Sequence, residues 1–403
     1  MQNKPMINLP QGWEVKKLEE IANIKGGKRL PKGENLLDNN TKFAYIRVAD
    51  FQDNGTINLQ NIKFINENTY DILKNYKIYD DNLYISIAGT IGKSGIIPKE
   101  LNGAILTENA VKLEYIQNNI SNKFMYFFTL SNIFKTQIQT STKIVAQPKL
   151  AITRLKQIEI PLPSLKEQER IVGILDESFA NIDESIKILE QDLLNLDELM
   201  QSALQKAFNP LKDEAKENYK LPQGWEWKSL GKICESISAG GDKPKDYTEN
   251  KTISNQIPIY ANGVNNNGLI GYTNKAVITK SSLTISARGT IGFVCIRKEP
   301  YYPIVRLISA IPNEKILHLE YLYFCLFFFI AKSSGSSIPQ LTIPVFKNLQ
   351  IPLPPLQEQE QIVSYLDELS SNVKNLKQNY QAQIKNLQEL KKSLLDKAFQ
   401  GRL

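Results

Sequence analysis

One histidine and three cysteines in 403 residues leave little material for the commonest metal-ligand and nucleophile chemistry. His318 has no second histidine to pair with, and it stands where an apolar helix is expected to open, so it reads as a structural residue. Cys234, Cys295 and Cys325 are too scattered for a zinc site or a disulfide framework, which leaves no metal site to assign and favours the reduced cytoplasm of a cell. Residues 1–13 lack the apolar core of a signal peptide. The most apolar run, 321–331, falls well short of the roughly 20 residues of a membrane helix and reads as a buried helix. There is no Asp/Asn-Pro-Pro-aromatic tetrapeptide of the kind amino-methyltransferases use, and no acidic cluster recurs in both halves. Gly89-Thr90-Ile91-Gly92-Lys93-Ser94 only superficially resembles a phosphate loop, because Ile87 stands where that motif requires glycine. It is better read as a tight turn after a strand. Together these gaps point away from catalysis by this chain.

What the sequence does have is one pattern written twice. Leu9-Pro10-Gln11-Gly12-Trp13-Glu14 recurs as Leu221-Pro222-Gln223-Gly224-Trp225-Glu226, and Gly89-Thr90-Ile91-Gly92 recurs as Gly289-Thr290-Ile291-Gly292. Residues 158–177 and 349–368 are identical at 13 of 20 positions. Lys206-Ala207-Phe208 returns as Lys397-Ala398-Phe399. Between these anchors the copies hardly match, so each unit is a variable globule followed by a constant segment, and a period near 200 residues means two domains rather than a solenoid. Short β-rich runs between Gly/Asn/Pro turns (43–48, 83–87, 276–278, 283–286) and one apolar helix per globule (122–135, 319–332) predict an α+β fold.

The constant segments predict long helices. Ser164-Leu165-Lys166-Glu167 fits a capping box, and Pro161 and Pro163 bar any upstream extension. Leu175, Ile182, Leu189 and Leu196 follow at heptad spacing, with Phe179, Ile186, Leu193 and Met200 as companions. The second copy keeps the first column as Leu366, Val373, Tyr380 and Leu387, while its companion column, Leu369, Leu376 and Leu390, is interrupted by Gln383 and Lys397. The shared column is the predicted helix–helix contact. Each helix would span roughly 60 Å, whereas the linker 209–220 reaches about 40 Å at most. That mismatch favours an antiparallel pair with a globule at each end, a pseudo-twofold internal repeat. The expected segments are 1–157 and 221–348 as globules, 158–208 and 349–403 as spacer helices, and 209–220 as linker.

The net charge of +7 favours an anionic partner. Basic and amide residues gather in the variable globules: Lys28, Arg29, Lys32, Arg47 and Lys93 in the first, and Lys243, Lys245, Asn262, Asn265 and Arg288 in the second, with Tyr260 nearby and Thr290 in the repeated turn. Arg and Lys suit guanine edges and phosphates, and Asn suits adenine, so these twelve are the candidate DNA contacts.

A variable globule opened by Leu-Pro-x-Gly-Trp, carrying Gly-Thr-Ile-Gly, and closed by Ile-Pro-Leu-Pro-x-Leu-x-Glu-Gln, twice over, resembles the specificity subunit of type I restriction–modification systems. The resemblance covers nearly the whole chain. It implies two target-recognition domains reading the halves of a bipartite, asymmetric DNA site, with the antiparallel helices setting the spacer. It further implies docking of two modification subunits, which use S-adenosylmethionine to methylate adenine. Restriction subunits using ATP and Mg2+ would join them, and catalysis would lie outside this chain. A specificity subunit of a fused methylase–nuclease system and a scaffold that reads no bases remain as alternatives.

Overall fold

The computed structural model describes residues 9–39, 41–141, 149–208, 221–333 and 341–403, so the linker 209–220 lies outside the described residues. The chain divides into two units, one of Met1–Leu189 with Ala382–Leu403 and the other of Glu190–Gln381. Each unit thus takes its own globule together with part of both long helices.

The two globules repeat one design. In the first unit a four-stranded antiparallel sheet runs in the order Ala22–Gly26, Ala110–Tyr115, Leu83–Ser86, Ser94–Ile96. The second unit has the same order in Cys234–Ala239, Ile308–Pro312, Ser282–Ile285, Val294–Arg297. Beside each lies a second sheet with one parallel pair, Ala44–Ile46 with Ala104–Leu106 and Ile257–Tyr260 with Tyr302–Pro303. Strands Leu83–Ser86 and Ser282–Ile285 are buried throughout, as β-branched and leucine-rich central strands should be. The expected strand at 276–278 is a single bridge from Ile278 to Tyr301, with Val277 half exposed and turn-forming residues on both sides.

The repeated anchors are partners of one another. The residues after Leu-Pro-Gln-Gly-Trp form Glu14–Lys17, which pairs antiparallel with Glu159–Leu162 of the Ile-Pro-Leu-Pro run; Glu226–Ser229 pairs with Gln350–Leu353 in the same way. Proline fits these two-stranded ribbons because each strand has an open edge that needs no N–H donor.

The apolar helix of the first globule is broken where one helix was expected. Asn122–Leu130 and Asn132–Ser141 meet at Ser131, whose backbone is extended and whose hydroxyl accepts from the Phe134 amide. A serine offering its own cap competes with helix continuation. In the second globule Leu319–Ser333 is continuous.

The constant segments are helices of 44 and 43 residues, Leu165–Phe208 and Leu356–Ala398. Ser164 precedes the first residue, as a cap would, but the Glu167 carboxylate chelates Arg170 through two bonds of 2.8 Å. Of the expected pairing residues, Leu175, Ile182, Leu196, Leu366 and Val373 are buried, and Leu189, Tyr380 and Leu387 are partly buried. The companion column of the second helix keeps Leu369, which is partly buried, but not Leu376 and Leu390. Leu376 and Leu390 are exposed, and Lys377, Ile384, Lys391 and Ala398, one position along, are the covered residues. The lysines fit this seam because their stems are apolar and their ammonium tips reach out to Asp197 and Asp183. In chain order the two ion pairs run in opposite directions along the helices, which are therefore antiparallel. Such exposed pairs contribute about 0–1 kcal/mol each, so they set register more than stability.

Each helix end closes the core of the other copy's globule. Phe399, at the end of the second helix, is fully buried in the first unit, 5.0 Å from the Phe124 ring and 5.5 Å from that of Phe128. Phe208, at the end of the first, is buried in the second unit, 5.5 Å from Tyr321 and 6.0 Å from Phe328. This crosswise packing explains why Lys-Ala-Phe recurs. Truncating such a side chain costs about 3–5 kcal/mol. Phe399→Ala should therefore speed hydrogen exchange of strand Leu83–Ser86 and leave Ser282–Ile285 unchanged. Softening of the second globule instead would contradict the crosswise assignment.

Candidate nucleic-acid interface

Four segments of the first globule are tied together at one end of its sheets. The Gly27 amide donates to the Ala110 carbonyl, and that of Lys28 to Leu106. The Thr107 amide donates to Ile46, and those of Ile87 and Ala88 to Asn109. The Tyr45 hydroxyl donates to the Lys28 carbonyl. Gly27 has to be glycine here, since a Cβ would sit 2.1 Å from the Thr107 carbonyl oxygen. The cluster thus joins the loop carrying Lys28, Arg29 and Lys32, the segment beginning at Arg47, the hairpin at 86–93 and the turn at 107–110.

The side chains at this end differ in how committed they are. Arg47 is a brace: its guanidinium lies 2.6 Å and 3.0 Å from the buried Asp50 carboxylate and also donates to the Asn61 carbonyl. Arg29 is four-fifths exposed and pairs with Glu108 at 2.7 Å. Burial pushes the Glu108 carboxyl up, but the bonds from Arg29, its own amide and Thr107 outweigh it and hold it below the ordinary carboxylate value. Lys93 reaches Asp53 at 2.7 Å, Lys28 lies 5.9 Å from the Tyr76 ring, and Lys32 is exposed in its loop.

Gly-Thr-Ile-Gly is a hairpin between antiparallel strands in both copies, not the strand–loop–helix of a phosphate loop. Its glycines take φ of 73° and 87° in the first copy and 68° and 86° in the second. A Cβ on Gly92 or Gly292 would meet Ile138 or Ile330 at 2.5 Å, so the second glycine lets the hairpin press on its helix. The tips, with Thr90 in one copy and Arg288 and Thr290 in the other, are exposed.

The second globule builds the same junction from different residues. The Gly240 amide donates to Leu307, Val305 to Gly241 and Arg306 to Gly240. Asn262 braces three loops, its amide donating to the Val305 carbonyl at 2.7 Å and accepting from the Ala287 amide at 2.8 Å. That leaves the Asn262 side chain engaged on the protein side. Tyr260 is covered by the Arg297 guanidinium 3.5 Å from its ring centre, and Arg297 also donates to Thr284 and to the Asn267 carbonyl. Arg297 thereby holds the turn Asn265–Gly268, in which Asn266 and Asn267 are left-handed and Asn265 is exposed. Lys243 stacks on Tyr247 at 3.1 Å, and Lys245 is exposed.

The structure adds residues that no sequence pattern marked. Val305 and Arg306 are consecutive left-handed residues, with φ of 53° and 61°. For a β-branched valine this is a genuine outlier, worth about 1–3 kcal/mol of strain, held by the backbone bonds to Gly240 and Gly241. Both side chains are exposed, on the turn that corresponds to Thr107–Ala110 and hence to Glu108 and Asn109. Valine is a strand former, so nothing in the sequence pointed to an exposed turn there.

Among the described residues no group of three or more His, Cys, Asp or Glu is placed to hold a metal ion, and no helix is long and apolar enough to cross a membrane. Burial pushes the Cys234 thiol up to about 12 and raises Cys295 and Cys325 as well, so all three are held in the unreactive protonated form.

A family model described as "Type I restriction modification DNA specificity domain" matches residues 10–193 and again 222–386. A type I specificity subunit of Mycoplasma pneumoniae is 30% identical over 355 residues, covering 88% of each chain. The EcoBI type I restriction enzyme specificity subunit of Escherichia coli is 30% identical over 207 residues, covering 50% of this chain and 42% of its own. Among solved structures, a chain from a study of the assembly and conformational transition of the type I system superposes with a TM-score of 0.80 at 22% identity, covering 98% of this chain and all of its own. The HsdS subunit of Thermoanaerobacter tengcongensis superposes at 0.66 and 22%, with both chains covered in full. With a specificity domain matched in each half, and with that fold, the chain belongs to the specificity subunits of type I restriction–modification systems.

Proposed function

We propose that each globule reads one half of a bipartite, asymmetric DNA site through its loop junction, and that the paired helices set the spacing between the halves. One observation carries this reading: the same junction of four segments is built twice on matching strands, while the side chains on it differ. Arg29 and Glu108 stand in one copy and Arg288 and Arg306 in the other, while the hairpin threonine, Thr90 or Thr290, is common to both. A repeated scaffold with altered exposed residues suits two readers of unlike sequence on a duplex whose grooves admit both. Arg47 and Asn262 hold loops in place, and Arg29, Lys32, Lys245, Asn265, Arg288, Thr290 and Arg306 are offered to bases and phosphates.

In this reading the chain catalyses nothing in the cytoplasm where it works. It docks two modification subunits that supply S-adenosylmethionine chemistry, and restriction subunits that use ATP and Mg2+. The test is selection from randomised duplexes by the chain together with its modification partner. Two short conserved blocks at one fixed separation are expected, and enrichment without any sequence preference would contradict the reading.

Arg306→Ala should relax one position of the second half-site. The expected loss of discrimination there is about 1–3 kcal/mol, or roughly fivefold to 150-fold, with the first half-site unaffected. Selection with the variant protein measures this, and a uniform loss across all sequences would instead make Arg306 a phosphate contact.

A further inference from the structure

The glutamine of the Pro-Leu-Pro-x-Leu-x-Glu-Gln run is buried to within 1% of complete in both copies, as Gln168 and Gln359. Gln168 Oε1 accepts from the Ser121 amide at 2.8 Å, while its Nε2 donates to the carbonyls of Asn119 at 3.1 Å and Pro163 at 2.9 Å. Gln359 repeats this set: Oε1 accepts from the His318 amide at 2.8 Å, and Nε2 donates to Ile316 and Pro354, both at 2.9 Å. Ser121 and His318 immediately precede the apolar helices of the two globules, and Pro163 and Pro354 lead into the two long helices. Each glutamine therefore ties the entry of a globule's helix to the entry of a long helix.

All six partners are backbone atoms, so the tie is indifferent to what surrounds it in sequence. It needs a side chain that both donates twice and accepts. A carboxylate would set its negative oxygen against two carbonyls, and an apolar side chain would leave three buried groups unmet. Apolar packing alone, through Ile171 and Leu175 in the first unit, holds the surfaces together but allows sliding; directional bonds fix the angle.

We infer that Gln168 and Gln359 are positioning residues that fix the angle between each reading globule and its long helix, and so set how sharply the half-site spacing is discriminated. This rests on the spacer reading given above. The experiment uses the full chain in complex with its modification partner, as Gln168→Met and Gln359→Met. The substrates are duplexes whose half-sites are constant and whose spacer varies one base pair at a time. The wild-type complex should methylate one spacing. Each variant should keep both half-sites and accept the neighbouring spacings, with discrimination reduced about tenfold. Ile85→Val, a core truncation in the sheet of the first globule, should lower stability without broadening the spacing.

A folded variant with wild-type spacing discrimination overturns the inference. Should both variants fail to fold, hydrogen exchange of the Ser121 and His318 amides in the wild-type complex decides: protection at the level of the helix interior supports the tie, and loop-like exchange overturns it. A wild-type complex with no preferred spacing overturns the spacer reading itself, and is seen before any variant is made.

Discussion

Replacing residues 14–157 with the same segment of another specificity subunit should change one half of the methylated site and leave the other half base for base the same. The junctions favour this. The incoming strand at 14–17 must pair with the retained Glu159–Leu162, but that pairing is made through backbone bonds, which any strand can supply. Gln157, which bonds to Lys17 and Glu19 at 2.6 Å, travels with the exchanged segment. The retained Gln168 grips only backbone at 119 and 121, and the retained Phe399 needs only aromatic or aliphatic neighbours of similar volume in place of Phe124 and Phe128. The expected result is a hybrid target with a new first block and the old second block at the old spacing. A target altered in both blocks would show that the halves are not read independently. Single-molecule sequencing of methylated genomic DNA from cells carrying the hybrid reads this directly.

Inserting one heptad into both long helices, after Leu189 and after Tyr380, should lengthen the gap between the two blocks. Both points lie between the two interhelical ion pairs, Asp183 with Lys391 and Asp197 with Lys377. A matched insertion preserves both pairs and the faces on either side, because seven residues return a coiled-coil seam to its own phase. Seven residues add about 10 Å at 1.5 Å each, close to three base pairs at about 3.4 Å. Insertion in one helix alone shifts one face of the seam past the other by two turns and should abolish methylation rather than move it. An unchanged gap with the matched insertion would mean that the helices do not set the spacing.

Much of the architecture was legible because the chain states it twice. The repeated Leu-Pro-Gln-Gly-Trp and Ile-Pro-Leu-Pro runs are the two strands of one ribbon, and the heptad column from Leu175 to Leu196 lies in the helix contact. Periodicity misled where polarity and geometry disagree. Lys377 and Lys391 look like surface residues, so Leu376 and Leu390 took their place in the reading, and only the side-chain stems show which column is covered. A single serine interrupted the helix expected over 122–135, a local competition that an apolar run does not reveal.

The candidate interface was legible as a set of loops rather than as a set of contacts. Residue type placed Arg47 and Asn262 among the readers, yet the Asp50 carboxylate engages one and the Val305 and Ala287 backbone engages the other. Conversely, Arg306 was hidden because its exposure depends on a left-handed backbone that valine and arginine do not advertise. Loop chemistry is set by long-range partners such as Glu108 for Arg29, 79 residues away in sequence, and a one-dimensional pattern carries no trace of them.

Base-resolved mapping of adenine methylation in cells with and without this gene tests the two-reader proposal most directly. The expected result is one motif of two unlike blocks separated by a fixed run of unspecified bases, present with the gene and lost without it. A continuous motif, or a methylation pattern indifferent to the gene, would contradict it.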